Sequence, residues 1–182
     1  LRNAFPATER RNVPDKLARP PADFDAGNGL LLLEQFQMAY VANDIEKAGE
    51  LFRQQLGIRE FTRLEGETSG GGYIRADFAW VGTLMYELIQ AQGPGSVIFS
   101  GHLPATEEFV IRHHHLGFLV QNRAQWEAVQ TNATRVGLEI VSRSSSPLVD
   151  VCFVAVPACS HYLEYFFATA AGMEFFDNVS RS

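Results

Sequence analysis

Phe109–Val120 reads FVIRHHHLGFLV, three consecutive histidines entering an apolar run of β-favouring residues. Side chains alternate along a regular strand, so His113 and His115 are predicted to share a face with Gly117 and Leu119, and His114 to take the other. A neutral imidazole turned into an enclosed space is the commonest protein ligand for a transition metal. Histidines at the solvated mouth of a strand are the plain alternative, and this stretch alone does not choose between them. The remainder of the chain bears on the choice because it repeats the layout.

Leu30–Ala42 reads as β structure, with FQMAYVA its clearest part. Asn43-Asp44 then signals a turn and an N-cap. Ile45, Ala48, Leu51, Phe52 and Leu56 recur at helical spacing, and Gly57 stops the helix. Ile58–Leu64, Tyr73–Trp80 and Leu84–Gln90 are strand candidates around the loop EGETSGGG. The histidine strand is followed by a helical face of Trp126, Val129, Ala133 and Val136, a stop at Gly137, the loop SRSSSP, and strands Leu138–Ser142, Val149–Val156 and His161–Phe167. Each half therefore reads β-α-β-β-β. The predicted organisation is an extended, proline-rich arm over 1–29, a first module over 30–91, a Gly- and Pro-rich connector over 92–108, a second module over 109–168, and a tail over 169–182. The apolar pair Phe175-Phe176 in that tail has either the body or a partner chain to dock on.

Matched offsets connect the halves. Gln37 lies seven residues before Asp44, and His115 seven before Asn122, each later residue opening a helix. The stopping glycines follow at offsets of 20 and 22. The last strand of each half carries a carboxylate in an apolar run, Glu87 in LMYELI and Glu164 in HYLEYFF, at separations of 50 from Gln37 and 49 from His115. A glutamate buried among such neighbours costs several kcal/mol unless it pairs or binds a cation. Half-exposed strands with both glutamates facing water are the alternative. Converging on one point, two carboxylates, an imidazole and an amide oxygen would make a mixed N/O site suited to Zn, Ni, Co, Fe(II) or Mn.

Composition limits the other classes. A formal net charge of -6 leaves no basic stripe for nucleic acid. No run approaches the roughly 20 apolar residues that span a bilayer. Cys152 and Cys159 form no disulfide framework and are read as reduced thiols of a cytoplasmic protein. Phe109, Phe118, Phe153, Tyr162 and Phe166 are pocket or ordinary core residues, and Arg75 and Arg112 anion grips or surface solvators.

The segments FQMAYVANDIEKAGELFRQQLG and HHHLGFLVQNRAQWEAV resemble the two module openings of the vicinal-oxygen-chelate superfamily, which includes glyoxalase I, methylmalonyl-CoA epimerase, extradiol dioxygenases and bleomycin-resistance proteins. VGTLMYELIQ and ACSHYLEYFF are similar to the strands that close each module. The resemblance covers about residues 35 to 168. It implies an α+β fold of two βαβββ modules in a curved mixed sheet around a central cleft. Carried over by position, it implies one divalent metal held by Gln37, Glu87, His115 and Glu164. That pattern is similar to glyoxalase I, where a metal-bound glutamate also moves the substrate proton; Glu164 and Glu87 are the corresponding candidates, Glu164 preferred. The epimerase branch has histidine and then glutamine at the first two positions, and the extradiol dioxygenases carry a second histidine where this chain has Gln37. The implied activity is a metal-dependent lyase or isomerase acting on a small molecule through an enediolate or enolate. A metal-optional binding protein and an Fe(II) ring-cleaving dioxygenase are the alternatives. A homodimer is expected, since curved sheets of this kind often bury an edge across a two-fold axis.

Overall fold

In a computed structural model, residues 23–68 and 70–182 are described. Of the arm expected over 1–29, residues 1–22 lie outside them, and the rest includes a turn with Ala26 buried. The described residues form β1 (Glu34–Ala42), α1 (Ile45–Leu56), β2 (Thr62–Glu67), β3 (Tyr73–Val81), β4 (Leu84–Gln92), α2 (Val97–Ser100), β5 (Ile111–Leu119), α3 (Arg123–Arg135), β6 (Ile140–Ser145), β7 (Val149–Val156), β8 (His161–Ala168) and α4 (Ala170–Asp177). All eight strands belong to one curled mixed sheet in the order β2-β3-β4-β1-β5-β8-β7-β6. Within each half the first strand runs parallel to the last, β1 with β4 and β5 with β8. The halves join where β1 and β5 pair antiparallel.

The two long helices begin and end for matching reasons. The Asp44 carboxylate accepts the Lys47 amide hydrogen at 3.1 Å, and the Asn122 side-chain oxygen accepts that of Gln125 at 3.0 Å. Gly57 (φ 82°) and Gly137 (φ 75°) close the other ends in the left-handed region. Ile45, Ala48 and Phe52 of α1, and Trp126, Val129 and Ala133 of α3, are buried against one face of the sheet. Leu56 and Val136, predicted on the same faces, lie at the helix ends and are exposed.

Several boundaries differ from the sequence reading. Leu30–Leu33 forms turns before β1; Leu33 is buried there, and the Leu30 carbonyl accepts the Tyr165 hydroxyl at 2.8 Å. Ile58 is a core residue packed with α1, and β2 starts only at Thr62. The serines predicted as loop extend β6 because β7 supplies a backbone partner, Ser142 opposite Phe153 and Ser144 opposite Val151. The connector contains the short helix α2, which its glycines and prolines concealed.

The tail docks on the body. Phe176 packs edge-on against Phe78 and Phe166, with ring centroids 5.6 and 4.9 Å away. Its carbonyl accepts the Trp80 indole N–H at 3.0 Å, and the Trp80 backbone bonds to Ser180 and Ser182. Phe176→Ala leaves a cavity between two aromatic strands and is expected to cost about 3–5 kcal/mol of unfolding free energy. A urea titration measures this; an unshifted midpoint would show that the tail contributes nothing to the core.

Candidate functional site

The other face of the sheet holds the predicted residues in a register that repeats across the junction. Ala39, two residues after Gln37, pairs with Glu87; Gly117, two after His115, pairs with Glu164. Between the halves, Gln37 pairs with Gly117 and Ala39 with His115. Gln37, Glu87, His115 and Glu164 are thereby brought together. The His115 Nε2 lies 3.1 Å from Glu164 Oε2, 3.3 Å from Glu87 Oε2 and 3.4 Å from Gln37 Oε1. His115 is fully buried, and none of the other three is more than 8% exposed.

The expectation for the three histidines is corrected. Ala39 and Tyr40, adjacent in β1, pair with His115 and His113, so His114 is the extra residue of a β-bulge. The bulge breaks the alternation. His114 turns to the site side, with its Nδ1 2.8 Å from the Nδ1 of His115, while His113 packs against Tyr40, which itself packs on Phe52 of α1. His114 Nε2 donates to the Ile98 carbonyl of α2 at 3.0 Å.

Electrostatics follow from burial and proximity. Burial alone would lower the His115 pKa, but Glu164 and Glu87 outweigh it and push it up to about 9. His114 has no such partners, and burial, aided by His115, takes it down to about 3. Burial raises the Glu87 carboxyl while His115 pulls it the other way. With both glutamates ionised, one imidazolium between them would leave a buried excess negative charge. Moreover, a single N–H faces three acceptors, each at a distance longer than the 2.7–2.9 Å usual for a charge-assisted bond. The donor set thus has more acceptor capacity than one proton satisfies, and its charge is that which a divalent cation beside neutral His115 would cancel. Among the described residues no group of three or more His, Cys, Asp or Glu side chains is spaced to hold a metal ion as it stands. In chemistry and charge the residues fit a divalent metal.

Gln37, Glu87 and Glu164 open onto a cavity of about 340 Å³ whose walls combine Phe78, Phe99, Phe153, Phe166 and Phe176 with aliphatic side chains and serines of β6. Of the predicted pocket aromatics, Phe153 and Phe166 line it. Tyr162 packs tilted against His114, Phe118 lies on the helix-covered face against Tyr165, and Phe109 packs with the α1 cluster. Arg75 pairs with Glu65 at 3.2 Å, and neither it nor Arg112 lines the cavity. Phe99 escaped the sequence reading, which takes Phe176 only as a docking residue and not as a cavity wall; the role of Gly117 escaped it too. A Cβ there would stand 2.6 Å from Gln37 Oε1 and 2.8 Å from its Cβ. Gly117→Ala is therefore expected to displace the Gln37 side chain and cost about 1–3 kcal/mol. A crystal structure of the variant with Gln37 unmoved would contradict this.

No family model and no curated protein matches the chain. Solved structures do. Methylmalonyl-CoA epimerase from Mycobacterium tuberculosis superposes with a TM-score of 0.57 at 15% identity, over 77% of this chain and 91% of that one. A variant of the Streptomyces coelicolor epimerase in complex with 2-nitronate-propionyl-CoA gives 0.54 at 15% identity, over 76% and 96%. A mutant of 4-hydroxymandelate synthase from Streptomyces coelicolor gives 0.51 at 13% identity, over 75% of this chain and 49% of that one. These likenesses establish the fold, two paired βαβββ modules in one curled sheet.

Proposed function

We propose, with the paired-module fold shared with vicinal-oxygen-chelate enzymes as the premise, that this protein is a metal-dependent lyase or isomerase. It would shift a proton at a carbon next to vicinal oxygens of a small molecule. The observation that carries this reading is the single His115 N–H set against two buried carboxylates and an amide oxygen. Gln37, Glu87, His115 and Glu164 are the residues that would hold the ion. A divalent ion there supplies Lewis acidity toward a pair of substrate oxygens. Glu164 takes the proton from the neighbouring carbon as general base and returns it as general acid. Phe153, opposite Glu164 in the sheet, and Phe166, two residues along, limit water around that carboxylate. The phenylalanine and aliphatic side chains of the cavity accommodate an apolar substrate body. A homodimer belongs to the same reading, supported by the short, solvent-facing edge strands β2 and β6 that end the sheet. No helix among the described residues is long and apolar enough to cross a membrane, and a cytoplasmic location is part of the proposal.

Titration of chelator-treated protein with Zn(II), Ni(II), Co(II) or Mn(II) tests it. Below about pH 9 the His115 Nε2 carries a proton that an incoming ion must displace. Calorimetry in buffers of different ionisation enthalpy is expected to show one ion per chain and release of one proton near pH 7.5. Affinity should rise about tenfold per pH unit up to about pH 9. Absence of binding, or binding without proton release, contradicts the site. The likeness to 4-hydroxymandelate synthase favours an oxygen-using enzyme as second reading. Oxygen consumption by the Fe(II)-loaded protein in the presence of catechols separates it from the first.

A further inference from the structure

We infer that His114 is a positioning residue that fixes the tautomer of His115, so that Nε2 is the nitrogen left to face a cation. The inference rests on the metal reading for its purpose, but on hydrogen-bond geometry for its substance.

Adjacent residues of a regular strand point to opposite faces, and their rings do not meet. Here the bulge at His114 brings both imidazoles to one side, with ring centroids 5.1 Å apart and the two Nδ1 atoms at 2.8 Å. A contact that short between two nitrogens needs one hydrogen between them. The direction in which it is donated follows from the far end of the chain. His114 Nε2 lies 3.0 Å from the Ile98 carbonyl oxygen, which only accepts, so that nitrogen carries the hydrogen. The His114 ring is buried among Phe99, Phe153 and Tyr162, and its ring nitrogens bond to Ile98 and His115 rather than to a carboxylate. Nothing there offsets a second proton, so His114 is neutral and its Nδ1 is an acceptor. His115 Nδ1 must then be the donor.

A neutral His115 held this way has its free lone pair on Nε2, the nitrogen facing Gln37, Glu87 and Glu164. A ligating histidine commonly donates its other N–H to a carbonyl or carboxylate, which sets ring orientation and raises basicity. In this chain a second histidine takes that place. It passes the constraint to Ile98 of α2, so the connector between the modules helps orient the site.

The test has two arms. Long-range nitrogen–proton NMR of the metal-free wild-type protein at pH 7.5 should show His114 as the neutral Nε2–H tautomer; an Nδ1–H tautomer or an imidazolium there overturns the inference. This arm needs neither metal nor variant, so it decides the relay even if the metal reading fails. In the second arm Zn(II) binding is compared in wild type, His114→Phe and His114→Gln. Removing the acceptor in His114→Phe is expected to weaken binding about 10- to 100-fold, and His114→Gln, whose amide oxygen accepts the same hydrogen, to recover most of it. Wild-type affinity in a folded His114→Phe protein overturns the positioning role, as does equal weakening in both variants. If wild type binds no Zn(II) while the tautomer is as stated, the proposed function fails and the relay stands.

Discussion

His115→Ala is expected to lower divalent-metal affinity by more than about a hundredfold, the effect usual for losing an outer-shell partner being 10- to 100-fold. Only His115 contributes a nitrogen, and its Nε2 is the atom on which Gln37, Glu87 and Glu164 all converge. Alanine also removes the N–H that separates the two buried carboxylates. Breaking one partner out of a buried ion pair costs about 3–5 kcal/mol unless a carboxylate takes up a proton instead. Metal content by elemental analysis and affinity by calorimetry are therefore read on material first shown to be folded by circular dichroism. A folded variant that keeps wild-type affinity would remove His115 from the site.

Glu164→Gln is expected to reduce turnover about 10²- to 10⁴-fold, the range for loss of a general base, while leaving the fold intact. Glutamine is nearly isosteric, and its amide oxygen still accepts from the His115 Nε2–H. What it lacks is the capacity to accept a proton from carbon. Solvent deuterium exchange at the carbon beside a substrate carbonyl reads this step without requiring net conversion. Glu87→Gln is the companion variant: a larger loss there than in Glu164→Gln would exchange the two roles. Unchanged exchange in Glu164→Gln would remove it from the mechanism.

Much of the architecture was legible because the information was local. Asp44 and Asn122 announce helix starts through side-chain oxygens that accept from the amide three residues on, and Gly57 and Gly137 announce stops through a left-handed backbone. The meeting of Gln37, Glu87, His115 and Glu164 was legible because the halves repeat nearly the same spacing, and the parallel β1–β4 and β5–β8 pairs convert it into matching position. The features that were missed depend on pairing across long distances. Nothing near His114 signals a bulge; it arises because Ala39 and Tyr40 of another strand are in register with His115 and His113. Phe99 and Phe176 sit in segments whose glycines or terminal position suggested loop, and only docking against Phe153, Phe78 and Phe166 makes them cavity walls. Gly117 carried a faint signal, a residue without a side chain two positions from His115 on the same face. Its reason, the space taken by Gln37, appears only with the antiparallel β1–β5 pair in place.

Anomalous diffraction from a crystal of the Zn(II)- or Ni(II)-loaded protein shows where the ion binds. One peak per chain is expected within about 2.0–2.3 Å of His115 Nε2 and of oxygens from Glu87, Glu164 and Gln37. A fully loaded crystal with the peak elsewhere, and His115 Nε2 still hydrogen-bonded to both carboxylates, would contradict it.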